Sequence, residues 1–233
     1  MKATLFVLFF ALLMVGCGES SQPSEDVDMT DTDPKKDAIE TAVDFAKLQG
    51  RNGVTYLRNT DKPFSGYAKR AYENEQIEVL AQFKDGYVVR VKQWQENGTP
   101  RWDFGYTQGK VGVKDVPFDE ASDSNSSHRD GLGTEWYENG QKKAEVNYKD
   151  GELDGLETEW LENGWKKSEI NWKDGKLDGR MTWWHANEQK YEEKNWKDGK
   201  RDGLWTEWYY NGQKKWESNW KDDKLMSAEV WKP

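Results

Sequence analysis

Cysteine occurs once in the 233 residues, as Cys17, and histidine twice, as His128 and His185. A lone thiol excludes a disulfide framework and a zinc site built on cysteines. Two imidazoles leave little for histidine-based metal or acid–base chemistry, and no metal or other cofactor is expected. No apolar run reaches the about 20 residues that a membrane-spanning helix needs. Basic side chains (34) are outnumbered by acidic ones (43), for a formal charge of −9. Phosphate backbones select clustered Lys and Arg, so no nucleic-acid partner is expected. What the chain does hold is charge (33%) and aromatic residues (14%), with Trp alone counting 14. High charge at low hydrophobicity usually marks disorder, but disordered chains are poor in aromatics.

Lys2 precedes an apolar run from Ala3 to Val15, interrupted only by Thr4. A positive start, a short apolar core and the small Gly16 fit a secretory signal over residues 1–16. The stretch Leu13-Met14-Val15-Gly16-Cys17 resembles a bacterial lipoprotein cleavage site. That resemblance implies cleavage before Cys17 and acylation of its thiol and amine, hence an exported chain held on the bacterial membrane by lipid. Two or more acyl chains anchor a protein stably, where one is marginal. Gly18 in place of Asp implies, by likeness to enteric lipoproteins, the outer membrane on its periplasmic or surface face. The alternative is an ordinary signal peptide with an incidental cysteine. Residues 17–33, rich in Ser, Asp and Glu, read as an acidic tether of up to about 55 Å.

Asp33-Pro34 offers a helix cap and first turn. Ile39, Ala42, Val43 and Ala46 fall on one helical face, predicting a helix over 34–48 within a 34–50 segment closed by Gly50. It packs on the next domain or, alternatively, on a partner. Beyond it the chain repeats. Trp136, Trp160, Trp184 and Trp208 recur every 24 residues, as do the Asp-Gly pairs at 130, 154, 178 and 202 and the aromatics Tyr148, Trp172, Trp196 and Trp220. Four near-identical units and a partial closing strand fill 130–233. Two diverged units fill 51–110, one through Tyr72 and Asp85-Gly86, the other through Trp94 and Asn97-Gly98. Residues 111–129, with four serines, read as an inserted loop.

Each unit carries two turn signals, Asn-Gly and Asp-Gly, around short aromatic-rich runs, which is a β-hairpin pattern. The predicted fold is mainly β: an elongated single-layer antiparallel sheet of tandem hairpins with one short N-terminal helix. A three-residue loop Glu162-Asn163-Gly164, with Gly164 left-handed, gathers Leu156, Thr158, Trp160, Ser168, Ile170 and Trp172 on one face and sets Glu159 against Lys167 on the other. A two-residue loop would split the apolar residues, so the three-residue loop is preferred. The third unit breaks the pattern. It puts Arg180, Glu192 and Lys194 on the aromatic face and Glu188 where Gly is expected.

The stretch Glu-Trp-Tyr-Glu-Asn-Gly-Gln-Lys-Lys at 135–143 and its copies, with Tyr-Lys-Asp-Gly at 148–151, resembles the MORN-variant repeats of bacterial surface proteins and of an antitoxin-labelled family. Pro63-Phe64-Ser65-Gly66 looks like the start of such a unit. The likeness spans about 54–110 and 130–231 and implies an antiparallel sheet of successive hairpins.

A single layer has no second layer to bury its apolar face. Its rings either pack on each other or stay open to a ligand. Trp136, Trp160, Trp172, Trp184, Trp196, Trp208, Trp216 and Trp220 form the expected binding face, and a periodic ladder of rings suits a periodic partner such as an envelope polysaccharide, or a protein. Asp150 and Asp154, with their copies four apart, read as turn residues or as calcium ligands, the turn being the ordinary use of Asp-Gly. No phosphate loop or nucleophile–base pair appears, so no enzyme is expected. The reading is an envelope lipoprotein with a binding or scaffolding surface. An immunity or antitoxin protein and a purely structural spacer are the alternatives.

Overall fold

The computed structural model describes residues 36–112 and 128–232. The signal segment, Cys17 and the tether lie outside them. One α-helix, α1 (Lys36–Thr41), precedes the strands β1 (Val43–Asp44), β2 (Leu48–Arg51), β3 (Val54–Leu57), β4 (Gly66–Ala71), β5 (Ile77–Lys84), β6 (Tyr87–Trp94), β7 (Pro100–Gly105), β8 (Gly131–Trp136), β9 (Lys142–Lys149) and β10 (Glu152–Leu153). There follow β11 (Gly155–Trp160), β12 (Lys166–Lys173), β13 (Lys176–Trp184), β14 (Lys190–Lys197), β15 (Lys200–Trp208), β16 (Lys214–Lys221) and β17 (Lys224–Val230). From β4 onward each strand pairs with the next in sequence, antiparallel, β10 excepted as a short arm on β9. The sheet of tandem hairpins is therefore the observed fold.

Two turn chemistries build every hairpin. At Asp150-Gly151, Asp174-Gly175 and Asp198-Gly199 both residues have positive φ, the mirror-image two-residue turn whose twist suits β-strands. At the other end Leu161 N donates to Trp165 O (2.8 Å) and Gly164 N to Leu161 O (2.8 Å). This is the predicted three-residue loop, with Gly164 at φ 84°. In the third unit Glu188 takes the same left-handed place at φ 63°.

The sequence-based helix is too long. It ends at Thr41; Val43 and Asp44 instead pair in parallel with Ala68 and Lys69. Asp44 then caps a 3₁₀ turn over Phe45–Lys47 through its carboxylate and the Ala46 amide (2.7 Å). So short a helix is marginal by itself, and Val43 and Phe45 gain more by packing against the sheet core. The span 51–110 is not two repeats throughout. Residues 48–57 make a separate two-stranded sheet, β2–β3, while β4–β5 and β6–β7 are the two diverged hairpins. The 111–129 insertion is also narrower at its ends. Val111 is fully buried and its carbonyl accepts from Val88 N (2.7 Å), and Arg129 bridges to Tyr106. Residues 113–127 lie outside the described ones, and β7 pairs directly with β8.

The core sits at the N-terminal end and on both sides of the sheet. On one side Leu48 and Phe64 pack against Val79, Ala81, Phe83, Val91, Trp102 and Phe104. On the other, Ile39 of α1 and Ala42 just after it cover Leu80 and Trp94. The N-terminal segments are thus a second layer over the diverged hairpins, and the four regular hairpins have none among the described residues.

Replacing Glu188 by Gly should stabilise the chain by about 0.5–1 kcal/mol, because it relieves a side chain held in left-handed backbone. Urea unfolding checks it; a lower midpoint for the variant would mean that this turn carries no such strain.

Candidate binding faces

Strand pairing assigns every ring to a side. In β11 and β12, Thr158 lies opposite Glu169, and Glu159 opposite Ser168. Trp160, however, lies opposite Lys166, and the register shifts between Glu159 and Trp160. Lys167 is therefore an extra residue, a β-bulge. Directly opposed residues share a face. Hence Leu156, Thr158, Trp160, Lys166 and Glu169 are on one side, and Glu159, Lys167, Ser168, Ile170 and Trp172 on the other. The single aromatic face expected from the sequence does not exist. Its loop was right, but the bulge behind that loop reverses the parity of the returning strand. Glu159 and Lys167 do meet (3.0 Å), on the Trp172 side.

The same bulge recurs in each hairpin: Trp136 opposes Lys142, Trp184 opposes Lys190 and Trp208 opposes Lys214, each with a register shift beside the Trp. The extra residue reaches across to the residue before the Trp. Lys143 meets Glu135 (3.3 Å), Lys215 meets Glu207 (3.0 Å), and in β4–β5 the signs are exchanged, Arg70 meeting Glu78 (2.6 Å).

Trp136, Trp160, Trp184 and Trp208 thus form a ladder on one side. Each is half-buried. A lysine of the neighbouring hairpin lies over each of these rings, Lys142 over Trp160 (6.0 Å), Lys166 over Trp184 (5.9 Å) and Lys190 over Trp208 (5.7 Å), an arrangement favoured by the ring quadrupole. The same lysines pair with Glu145, Glu169 and Glu193. Beneath lie the buried Thr134, Thr158, Thr182 and Thr206. Along the turn edge the Tyr137 hydroxyl donates to Trp160 O (2.8 Å) and the Asn139 amide to Glu162 O (2.7 Å). In the third unit Asn187 likewise donates to Tyr210 O (3.0 Å), and in the fourth Tyr209 donates to Trp231 O (3.3 Å). His185 occupies the Tyr137 position and contacts Trp208 O (3.4 Å), so it is a repeat position.

Trp172, Trp196, Trp216 and Trp220 are on the opposite side, together with Trp183 and Trp205, two rings that the sequence reading did not single out. Trp205 packs at a tilt between Trp196 (5.2 Å) and Trp220 (5.5 Å). Arg201 lies over Trp220 (3.9 Å) and Lys194 over Trp205 (4.7 Å). The polar residues of the third unit find their use here, since Lys194 also pairs with Glu192 (2.7 Å). Arg180 is elsewhere: it opposes Asn195 on the ladder side. The glycines of the Asp-Gly pairs oppose these rings, Gly155 with Trp172, Gly179 with Trp196 and Gly203 with Trp220.

The paired aspartates act at the turns. Asp154 accepts from Asp174 N (3.2 Å) and Asp178 from Asp198 N (3.0 Å). Among the described residues no cluster of three metal-ligating side chains occurs.

The hairpins that carry this geometry are recognisable. Four tandem segments of the chain are similar to the MORN repeat variant. They match at residues 129–150, 153–174, 177–198 and 201–222, each one hairpin with its three-residue loop. The β4–β5 and β6–β7 hairpins share the turn and bulge geometry outside those matches. No curated protein matches the chain.

One ionisable group under the ladder side is displaced from its ordinary range. Asp103 is buried, bonded to Arg90 (2.8 Å). Burial pushes its carboxyl upward, and Arg90 and Lys92 oppose this without cancelling it. A carboxyl with a raised folded pKa contributes stability below its unfolded pKa and loses it as pH rises through the folded value. Wild type should therefore gain stability relative to Asp103→Asn on acidification through the carboxylate range. NMR titration of the Asp103 carboxyl carbon checks the cause; an apparent pKa at or below that of an exposed aspartate contradicts it.

Proposed function

We propose that the chain is an exported lipoprotein, anchored through Cys17 to the bacterial outer membrane, whose repeat array is a non-catalytic binding surface for a periodic envelope polymer. The observation that carries the binding half is the ladder Trp136, Trp160, Trp184, Trp208, one half-buried ring per regular hairpin, on a sheet side that no other described residues cover as a layer. Two strands separate successive rings, so they recur at roughly 9–10 Å. Flat apolar rings at a fixed interval, flanked by Lys–Glu pairs that hydrogen-bond hydroxyls, favour a polysaccharide. A repeat array also supports the coarser reading of a scaffold, since solenoid-like repeats offer extended surfaces. The anchoring half rests on the short apolar leader and on the position of Cys17, the only cysteine.

Two measurements test the two halves separately. Cys17→Ser in the full-length chain should move the protein from the membrane to the soluble envelope fraction; unchanged membrane recovery removes the lipid anchor. Co-sedimentation of the mature body with purified cell-wall polysaccharide should fall by roughly tenfold in Trp160→Ala plus Trp208→Ala, as for loss of two stacking rings. Equal sedimentation of wild type and double variant removes the ladder as the binding element.

A further inference from the structure

The bulge and edge contacts that repeat through the array both fail at one place, and a cleft of about 510 Å³ opens there. The residue preceding each three-residue loop is Tyr72, Tyr137 or Tyr209 in three hairpins. Each of these hydroxyls donates to the next hairpin, Tyr72 to Trp94 O (2.9 Å), Tyr137 to Trp160 O (2.8 Å) and Tyr209 to Trp231 O (3.3 Å). In β6–β7 the same place is held by Gln95, whose N–H and C=O make the identical loop bonds to Thr99 and Gly98. Gln95 is too short to fill the ring's volume, so space remains between it and Trp136.

The bulge residue of that hairpin is Arg101, because Trp94 opposes Pro100 and Gln93 opposes Trp102. In the first, second and fourth regular units the lysine at this position meets a glutamate across the pair. Here Gln93 stands where that glutamate would be, and among the described residues no ion pair to Arg101 is formed. Arg101 lines the cleft, as does Lys143 of the next hairpin, which keeps its pair with Glu135 (3.3 Å). Glu96 and Glu138, one from each turn, supply two carboxylates. The rings of Tyr72, Trp136 and Tyr137 complete the wall. A volume of this size is in the range of small-molecule sites.

The lining thus offers Arg101, two carboxylates and three rings, the charge of Lys143 being met by Glu135. A simple anion would meet the glutamates, and a simple cation the guanidinium. We propose that the cleft binds a zwitterion of the amino-acid or short-peptide class. Its carboxylate is held by Arg101, whose planar fork suits bidentate pairing. Its ammonium is held by the glutamates and by the faces of the aromatic rings. This site shares Trp136 with the ladder but uses none of its other three rings, and its ligand is not the polymer.

Isothermal titration of the mature chain with L-alanyl-L-alanine is the test, with the N-acetylated and C-amidated dipeptides as comparisons. The free dipeptide should bind saturably, and each blocked form roughly tenfold more weakly or less, having lost one of its two charges. Arg101→Gln should weaken the free dipeptide by a similar factor. Gln95→Tyr, which supplies the ring that Tyr72, Tyr137 and Tyr209 supply in three other hairpins, should abolish binding while keeping the strand content of the wild type by circular dichroism. No saturable heat with the free dipeptide at millimolar concentration overturns the proposal. So does equal binding of the blocked forms, or undiminished binding by folded Gln95→Tyr, or a cleft that takes only N-acetylglucosamine.

Discussion

In each hairpin the strand returning from the three-residue loop carries one residue more than the strand it pairs with. That residue stands beside the Trp, and in most units it is a charge that reaches across to its opposite. The extra residue does two things. It ties the two strands by an ion pair on the Trp172 side, as between Glu159 and Lys167. It also turns the alternation over, so that Trp160 and Trp172, which strict alternation would align, point to opposite sides. An exposed ion pair of this kind is worth little in isolation, at most about 1 kcal/mol. Its larger consequence is geometric, because a shift of one residue relocates every side chain beyond it.

A sheet with rings on both sides cannot be buried by one covering layer. The chain solves this at only one end. The β2–β3 sheet and Phe64 cover one side of the diverged hairpins, and α1 covers the other. Their central strand β5 is accordingly apolar on both sides at its middle, with Val79, Leu80 and Ala81 all at 0% exposure. The four regular hairpins follow another rule. Their rings are half-buried against neighbouring hairpins, with Lys, Arg and Thr packed around them. The Trp196, Trp205 and Trp220 cluster shows the same economy on the other side. A polar, single-layer array held by edge contacts between hairpins is the result, and both of its sides stay open to a partner.

Repetition also makes exceptions meaningful. Glu188 in a left-handed turn is tolerated where it is exposed to water at a loop. Gln95 and Gln93 are different, because they replace in one hairpin both the ring that fills the edge and the carboxylate that neutralises the bulge. The two losses fall on the same side of the same turn and leave a guanidinium that has no ion pair among the described residues, beside a gap. Drift at unrelated positions would not be expected to combine in this way.

The sequence by itself determined the hairpins. Turn chemistry is local: Asp-Gly requires two left-handed residues and Asn-Gly one, and the 24-residue interval between them is visible without any tertiary contact. It likewise determined that Glu159 and Lys167 would meet, since charges at that separation around a tight loop have few alternatives. Only the tertiary structure decided the facing of the rings. A bulge leaves no residue signature of its own, being a choice of hydrogen-bond register made by the whole sheet, and the residue that fills it, Lys167, looks like its neighbour Lys166. Only the tertiary structure, too, ended α1 at Thr41. The amphipathic pattern ran on through Ala46, but Val43 found a strand partner in Ala68, a contact across 25 positions that no local pattern encodes.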